Sequence, residues 1–129
     1  MLLYRQEVFE KYNRRCAYCG RMLLYKQMQV DHLHPQFLSH FQPEKDKNRI
    51  ENLMPSCQKC NNHKGAMRLE IWRSELQKQV SRLKKNAQFD RALRFEQIEI
   101  TEKPIVFYFE IQSEAKKLTE NDRSAVRGV

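Results

Sequence analysis

The segment that decides the fold runs from Cys16 to Gly65 and reads CAYCGRMLLYKQMQVDHLHPQFLSHFQPEKDKNRIENLMPSCQKCNNHKG. Two Cys-x-x-Cys pairs stand near its ends, Cys16/Cys19 and Cys57/Cys60. Two such pairs are typical of a tetrahedral zinc site, which would hold the ends of the intervening segment together. The dipeptide Asp31-His32 between the pairs is then free for chemistry. We therefore expect a structural zinc ion and a separate working site.

The composition indicates one folded, basic domain. The 129 residues carry 24 Lys and Arg against 16 Asp and Glu, a net charge of +8, and 40% of them are hydrophobic. A chain of this size and apolar content can form a packed core. Its positive field attracts polyanions, so nucleic acid is the leading partner class, although a solvated basic surface would explain the same charge.

The location of the protein decides how the cysteines are interpreted. No apolar run approaches the roughly 18 residues of a membrane span, and the N-terminus lacks the features of a secretory signal. We therefore expect a soluble, cytoplasmic protein. In a reducing compartment such cysteine pairs are metal ligands more often than disulfides; two disulfides are the alternative, and reactive thiols come third.

The first half of the chain suggests a helix followed by two short strands. Apolar spacing predicts a helix over residues 3–13, and Gly20 suits the tight turn after the first cysteine pair. Residues 27–32 and 53–56 are predicted strands, joined by a long polar connection. Because long loops in compact domains are often functional, residues 36–49 are candidates for substrate contact, with an ordinary surface loop as the alternative.

The second half is predicted to be a basic helix, a strand and a tail. Residues 67–87 carry an apolar stripe at helical spacing, formed by Trp72, Leu76, Val80, Leu83 and Ala87. The β-branched and aromatic run at residues 105–111 predicts a strand. Residues 113–129 are polar and charged, which predicts a partly disordered tail.

The nested motifs resemble those of HNH endonucleases. In order they are Cys-x-x-Cys, Val30-Asp31-His32-x-x-Pro35, Asn52-Leu53 and Cys-x-x-Cys-Asn61-x-x-Lys64-Gly65. The resemblance implies an α+β, ββα-metal core of treble-clef-like form, stapled by a four-cysteine zinc site. To this core, at about residues 14–68, we add an N-terminal helix and a helix-plus-strand extension at about 69–112, all within a single domain.

The resemblance also implies a role for each side chain of the working site. A divalent ion, usually Mg²⁺, would lie between hairpin and helix, bound by the hard oxygens of Asp31 and Asn61. His32 would be the general base that deprotonates a water, and Asn52 would orient the loop that carries it. The expected products are a 5′ phosphate and a 3′ hydroxyl at a nick.

Several assignments stay open at this point. His63 is the alternative to Asn61 as metal ligand, and Asn52 could instead make an ordinary turn contact. Lys64 fits a phosphate contact, or a solvated lysine. The other candidates for binding nucleic acid are basic residues of the connection and of the predicted basic helix: Lys47, Arg49, Arg68 and Arg73.

The leading hypothesis is a metal-dependent DNA endonuclease with weak sequence preference. The sequence is similar to small stand-alone HNH proteins of phages and prophages, some of which assist DNA packaging beside the large terminase subunit, so a terminase is a hypothetical partner. A site-specific restriction or homing nuclease is a second possibility within the enzyme class. The rival class is a non-catalytic zinc module that binds nucleic acid or protein.

Overall fold

The computed structural model describes residues 4–34 and 49–127, with side chains as far as residue 118. The chain divides into two compact units. The first, here called the core unit, comprises Met1–Ala66 and Val106–Val129, and the second, the helical unit, comprises Met67–Ile105. Within the described part of the chain, no helix is long and apolar enough to cross a membrane.

The centre of the core unit is a two-stranded antiparallel hairpin. Strand β1 (Gln29–His32) pairs with β2 (Leu53–Ser56), so that Asp31 lies opposite Met54 and His32 opposite Leu53. All four residues of β2 are buried. The two predicted strands are therefore confirmed, and the dipeptide Asp31-His32 lies at the end of β1.

Two short helices flank the hairpin. Helix α1 (Arg5–Lys11) buries Val8 and Phe9, which confirms the predicted N-terminal helix. Helix α2 (Gln58–Lys64) begins after Cys57, whose Sγ accepts the backbone N–H of Cys60 at 3.4 Å. It ends where Gly65 adopts a φ of 53°, a conformation that residues with a Cβ rarely take.

The first cysteine pair forms a tight turn packed against β2. The N–H of Gly20 donates to the carbonyl of Cys16 at 3.0 Å, and Gly20 has a φ of 79°. The N–H of Ala17 donates to the carbonyl of Pro55 at 2.8 Å. Cys16, Ala17 and Tyr18 are buried. The turn is therefore part of the hydrophobic core.

The strand predicted at residues 105–111 is wrong, because its second half begins helix α6 (Tyr108–Arg127). Glu110 Oε1 accepts the N–H of Phe107 at 2.9 Å, as the glutamate of a capping box does at the start of a helix. The tail predicted to be partly disordered is also helical in its described part, as far as Arg127.

Aromatic packing and backbone hydrogen bonds anchor the start of α6. The Tyr18 ring meets Phe107 edge-on with centroids 5.7 Å apart, and Phe109 with centroids 6.2 Å apart. The N–H groups of Tyr108 and Phe109 donate to the carbonyls of Tyr18 and Ala17 at 3.1 and 2.8 Å. Backbone N–H groups at the start of a helix have no partner within the helix, and at the start of α6 they donate to the turn formed by the first cysteine pair. These bonds anchor α6 to the rest of the core unit.

The helical unit contains three short helices, two of which lie within the single helix predicted at residues 67–87. They are α3 (Leu69–Gln77), α4 (Gln79–Leu83) and α5 (Ala87–Arg94). The predicted stripe is only partly buried: Trp72 is 2% exposed, whereas Leu83 is 48% exposed. Asn86 caps α5 by accepting the N–H of Phe89 at 3.1 Å. A new helix therefore begins at Ala87, the last residue of the predicted stripe.

Candidate metal centre and catalytic site

The four cysteines meet at one place in the core unit. Their Sγ atoms lie within 4.8 Å of one another, and all four are free thiols. Cys19 Sγ and Cys57 Sγ are 3.9 Å apart, so the cluster joins the turn after α1 to the start of α2. The thiols are therefore placed to hold one metal ion, as the sequence predicted, and the two-disulfide alternative does not describe this structure.

Hydrogen bonding within the cluster favours the thiolate form of one cysteine, Cys16. A bond between the Cys16 and Cys60 thiols lowers the pKa of Cys16 to about 4 and raises that of Cys60. Backbone N–H groups of neighbouring residues also stabilise the Cys16 thiolate. Since metals bind the thiolate and not the thiol, the cluster already provides a ligand in its binding form.

Asp31 faces helix α2 and is almost fully enclosed. Its Oδ2 accepts the Tyr18 hydroxyl at 2.5 Å and lies 2.9 Å from the ammonium of Lys64. Burial, together with the negative charge of Asp31, raises the pKa of Tyr18 above its ordinary value. The hydroxyl therefore stays protonated and donates to the carboxylate.

Asn61 lies on the same interface between β1 and α2. Its Nδ2 donates to Gln29 Oε1 at 2.8 Å. Gln29 and Asp31 are two residues apart on a strand, and therefore share a face, while Asn61 and Lys64 are three apart on a helix, and also share a face. The structure thus places both predicted oxygen ligands at one interface, with Oδ1 of Asn61 as the atom that could bind a cation.

His32 ends β1 and is half-buried. Its backbone carbonyl accepts the Lys64 ammonium at 3.1 Å, which ties the end of the strand to α2. Because successive side chains of a strand project to opposite faces, the imidazole and the Asp31 carboxylate leave the strand in different directions. His63, the alternative ligand, is exposed on α2.

Asn52 is buried and contacts the segment that follows His32. Its Oδ1 accepts the N–H of His34 at 2.8 Å, and its Nδ2 donates to the His34 carbonyl at 3.2 Å. The N–H of Leu33 donates to the Asn52 carbonyl at 2.9 Å. Asn52 therefore fixes the exit of β1 through three hydrogen bonds.

Lys11 binds the backbone on both sides of Asn52 in the sequence. Its ammonium donates to the carbonyls of Ile50, Glu51 and Leu53 at 2.8, 3.2 and 3.0 Å. Burial lowers the pKa of Lys11. An ammonium has three protons, and here three carbonyls around Asn52 accept them.

The residues predicted to bind nucleic acid are not equally accessible. Arg49 and Arg68 are exposed, whereas Lys64 is 1% exposed and paired with Asp31, so in this conformation Lys64 is not a surface phosphate contact. Arg73 is held by Glu70 at 2.9 Å and by the Ile105 carbonyl at 2.6 Å. This structural engagement disfavours the predicted role of Arg73. Lys47 lies outside the described residues.

Three contacting residues were missed by sequence reasoning: Tyr18, Gln29 and Lys11. Tyr18 lies between the two cysteines of the first pair, and the zinc prediction gave no reason to expect its hydrogen bond to Asp31. Gln29 could have been found from strand periodicity, because it lies two residues before Asp31. Nothing in the sequence pointed to Lys11, since its partners are backbone carbonyls far along the chain.

A cluster of four thiols joins the hairpin to α2, and carboxylate and amide oxygens lie at their junction. This arrangement is a ββα-type fold with a candidate metal site. Comparison with known families agrees: residues 16–67 match the family described as HNH endonuclease. This segment of the chain therefore belongs to the HNH endonuclease family.

The proteins that the chain resembles include two Cas9 enzymes. The chain is 31% identical over 70 residues to the CRISPR-associated endonuclease Cas9 of Corynebacterium diphtheriae, a match that covers 54% of this chain and 6% of that protein. The crystal structure of the Type II-C Cas9 enzyme from Actinomyces naeslundii matches at 28% identity and a TM-score of 0.46, covering 56% of this chain and 8% of that one. The chain therefore corresponds to less than a tenth of either protein.

Proposed function

We propose that this chain is a metal-dependent endonuclease that hydrolyses phosphodiester bonds of DNA, one strand at a time. The observation that carries the proposal is the junction of β1 and α2, where Asp31 and Asn61 lie on facing elements. This junction is inside the segment that matches the HNH endonuclease family.

The donor atoms fit two different ions. Four clustered thiols suit zinc, a borderline-soft ion that takes tetrahedral sulfur ligands. The carboxylate of Asp31 and the amide oxygen of Asn61 suit Mg²⁺, which prefers hard oxygens and keeps several waters. When bound there, Mg²⁺ would supply charge stabilisation for the departing 3′ oxygen.

The remaining roles belong to His32 and Asn52. A neutral imidazole can accept a proton from the attacking water, which leaves a 5′ phosphate and a 3′ hydroxyl after hydrolysis. Attack in line requires the nucleophile and the leaving oxygen on opposite sides of the phosphorus. The different directions of His32 and Asp31 suit that requirement, and Asn52 would keep the end of β1 in place.

DNA contacts are proposed on a basic cleft of the core unit as well as at Arg49 and Arg68. The cleft has a volume of about 450 Å³, and its lining includes Gln29, the partner of Asn61. Its basic lining residues are Arg21, Lys26 and Lys59, all exposed, and none of the described residues that line it is acidic. A phosphate backbone in this cleft would lie beside the candidate catalytic junction.

The biological setting is proposed from the resemblance alone. Similarity to small phage HNH proteins favours phage DNA packaging or processing in a bacterial cytoplasm, with a large terminase subunit as partner. Co-purification of the tagged chain with a terminase from the same genome tests this setting. A restriction or homing role would instead produce cleavage at a few fixed sites.

A plasmid-nicking assay tests the activity. Supercoiled plasmid is incubated with Mg²⁺ and the wild type, His32→Ala, Asn61→Ala or the matched control Asn62→Ala, a change at an exposed neighbour on α2. We expect nicking by the wild type and the control, and a loss of about 100-fold or more in the other two. An inactive wild type that still binds DNA would instead favour the non-catalytic zinc module.

A further inference from the structure

The Lys64 side chain is among the most deeply buried in the protein. Its residue is 1% exposed, and its ammonium lies 2.9 Å from Asp31 Oδ2 and 3.1 Å from the His32 carbonyl oxygen. Burying a charge is costly unless it is paired and hydrogen-bonded. The position of Lys64 therefore depends on the negative charge of Asp31.

The pairing with Lys64 also balances the negative charge of Asp31. The same oxygen, Oδ2, accepts the Tyr18 hydroxyl, so one oxygen of the carboxylate has two donors. The Asp31 charge is thus already compensated by a cation that belongs to the chain. This cation is presented by α2, the helix that also presents Asn61.

A second cation at this junction would meet strong repulsion. Two positive charges a few ångströms apart repel each other far more in a protein interior than in water. A divalent ion bound to Asp31 is therefore attracted by the carboxylate but repelled by the nearby Lys64 ammonium. Either the ion binds weakly or the ammonium moves away from Oδ2.

We propose that Lys64 is an internal counter-ion of Asp31 that competes with the divalent ion for the same carboxylate. This inference rests on the proposed function for the assignment of Asp31 as a ligand. Metal affinity is then set partly by Lys64, and metal binding breaks or weakens the Lys64–Asp31 pair. The ammonium stabilises the metal-free fold, because it prevents the Asp31 charge from being buried without a counter-ion.

In the test, zinc-loaded protein is titrated with Mn²⁺ in the absence of DNA. Calorimetry measures the Mn²⁺ affinity, and thermal melting measures the change in stability. The test compares the wild type with Lys64→Met and with the control Lys116→Met, an exposed lysine on α6. For Lys64→Met we expect a lower melting temperature without Mn²⁺, a larger rise on adding it, and Mn²⁺ affinity about tenfold or more tighter. The double variant Asp31→Asn/Lys64→Met should lose that rise.

Mn²⁺ affinity that is unchanged or weaker in Lys64→Met would overturn the proposal, as would binding that does not depend on Asp31. If Lys64→Met does not fold, the wild type is titrated with Mg²⁺ while the side-chain NMR signals of Lys64 are followed. Signals that stay unchanged at Mg²⁺ saturation would also overturn it. Because no DNA is present, a wild type that shows these effects but never nicks would contradict only the nuclease proposal.

Discussion

Asn52 holds both backbone polar groups of His34 with one side chain, accepting the N–H at 2.8 Å and donating to the carbonyl at 3.2 Å. A side-chain amide can do both at once, because its oxygen accepts while its NH₂ group donates. Since His34 follows the end of β1 by two residues, this contact limits the movement of the backbone that carries His32. We therefore propose that Asn52 orients this segment.

Replacing Asn52 by Ala should therefore impair catalysis more than folding. Losing one amide leaves partly buried backbone groups unsatisfied, so we expect a loss of about 1–3 kcal/mol in unfolding free energy. Nicking should fall by about tenfold or more, mainly in kcat, because proton transfer depends on the position of His32. Denaturant melts and single-turnover nicking measure the two effects, with Asn62→Ala as the control. Unchanged nicking would contradict the orienting role.

Lys11→Met should loosen the same region from the outside. The change removes donors from the carbonyls of Ile50, Glu51 and Leu53. We expect faster hydrogen exchange of the Leu33 amide, which is bonded to Asn52, and a loss of about 1–3 kcal/mol in stability. Lys26→Met is a suitable control, because Lys26 is exposed. Equal exchange rates in the two variants would show that Lys11 does not support this segment.

Removing a cysteine should unfold the core unit. Structural zinc sites in small domains contribute roughly 10–16 kcal/mol of binding free energy, which is comparable to the entire stability of a domain. We expect about one zinc ion per purified wild-type chain by elemental analysis. The Cys57→Ser variant should contain no zinc, should lose the packing of α6 and should not unfold cooperatively. Removing zinc from the wild type with a chelator should have the same effects on packing and unfolding. A folded, active Cys57→Ser variant would exclude a structural role for the cluster.

Charge reversal in the basic cleft should weaken DNA binding without changing the melt. The pair Arg21→Glu and Lys26→Glu adds negative charge where we place the phosphate backbone. We expect Kd to rise by about tenfold or more and the salt dependence to become shallower, because fewer counterions are released. The control pair is Lys116→Glu and Lys117→Glu, at exposed positions of α6. If both pairs weaken binding equally, the effect comes from net charge and not from the cleft.

The sequence was sufficient for the parts of the site that depend on spacing. The spacing of the two cysteine pairs predicted the thiol cluster, and the short segments around Asp31 and Leu53 predicted two strands. The pairing of these strands as a hairpin was implied by the resemblance to HNH endonucleases. Lys64 was different. Its neighbours in sequence suggested a solvated or phosphate-binding lysine, and only the packing of α2 on β1 shows that it is enclosed with Asp31.

The error at residues 105–111 has a similar cause. An aromatic and β-branched run favours a strand when its side chains alternate between two environments. Here the backbone N–H of Phe107 donates to Glu110, and those of Tyr108 and Phe109 donate to the turn that carries Tyr18, so none of the three bonds to a neighbouring strand. That tertiary contact with a turn some ninety positions earlier decides the structure, and no local propensity scale contains it.

The pairing of His32 with Leu53 has a consequence for how such a domain can diversify. The antiparallel pair, together with the Asn52 contacts, fixes both ends of the connection between β1 and β2 at one point. The entropy of closing a loop rises slowly with its length, by about 0.6 kcal/mol per doubling. Segments of other lengths and compositions can therefore be exchanged between His34 and Ile50 while the proposed catalytic site stays intact. If the chain cleaves DNA as proposed, new DNA preferences can arise by insertion, without a change to any residue of that site.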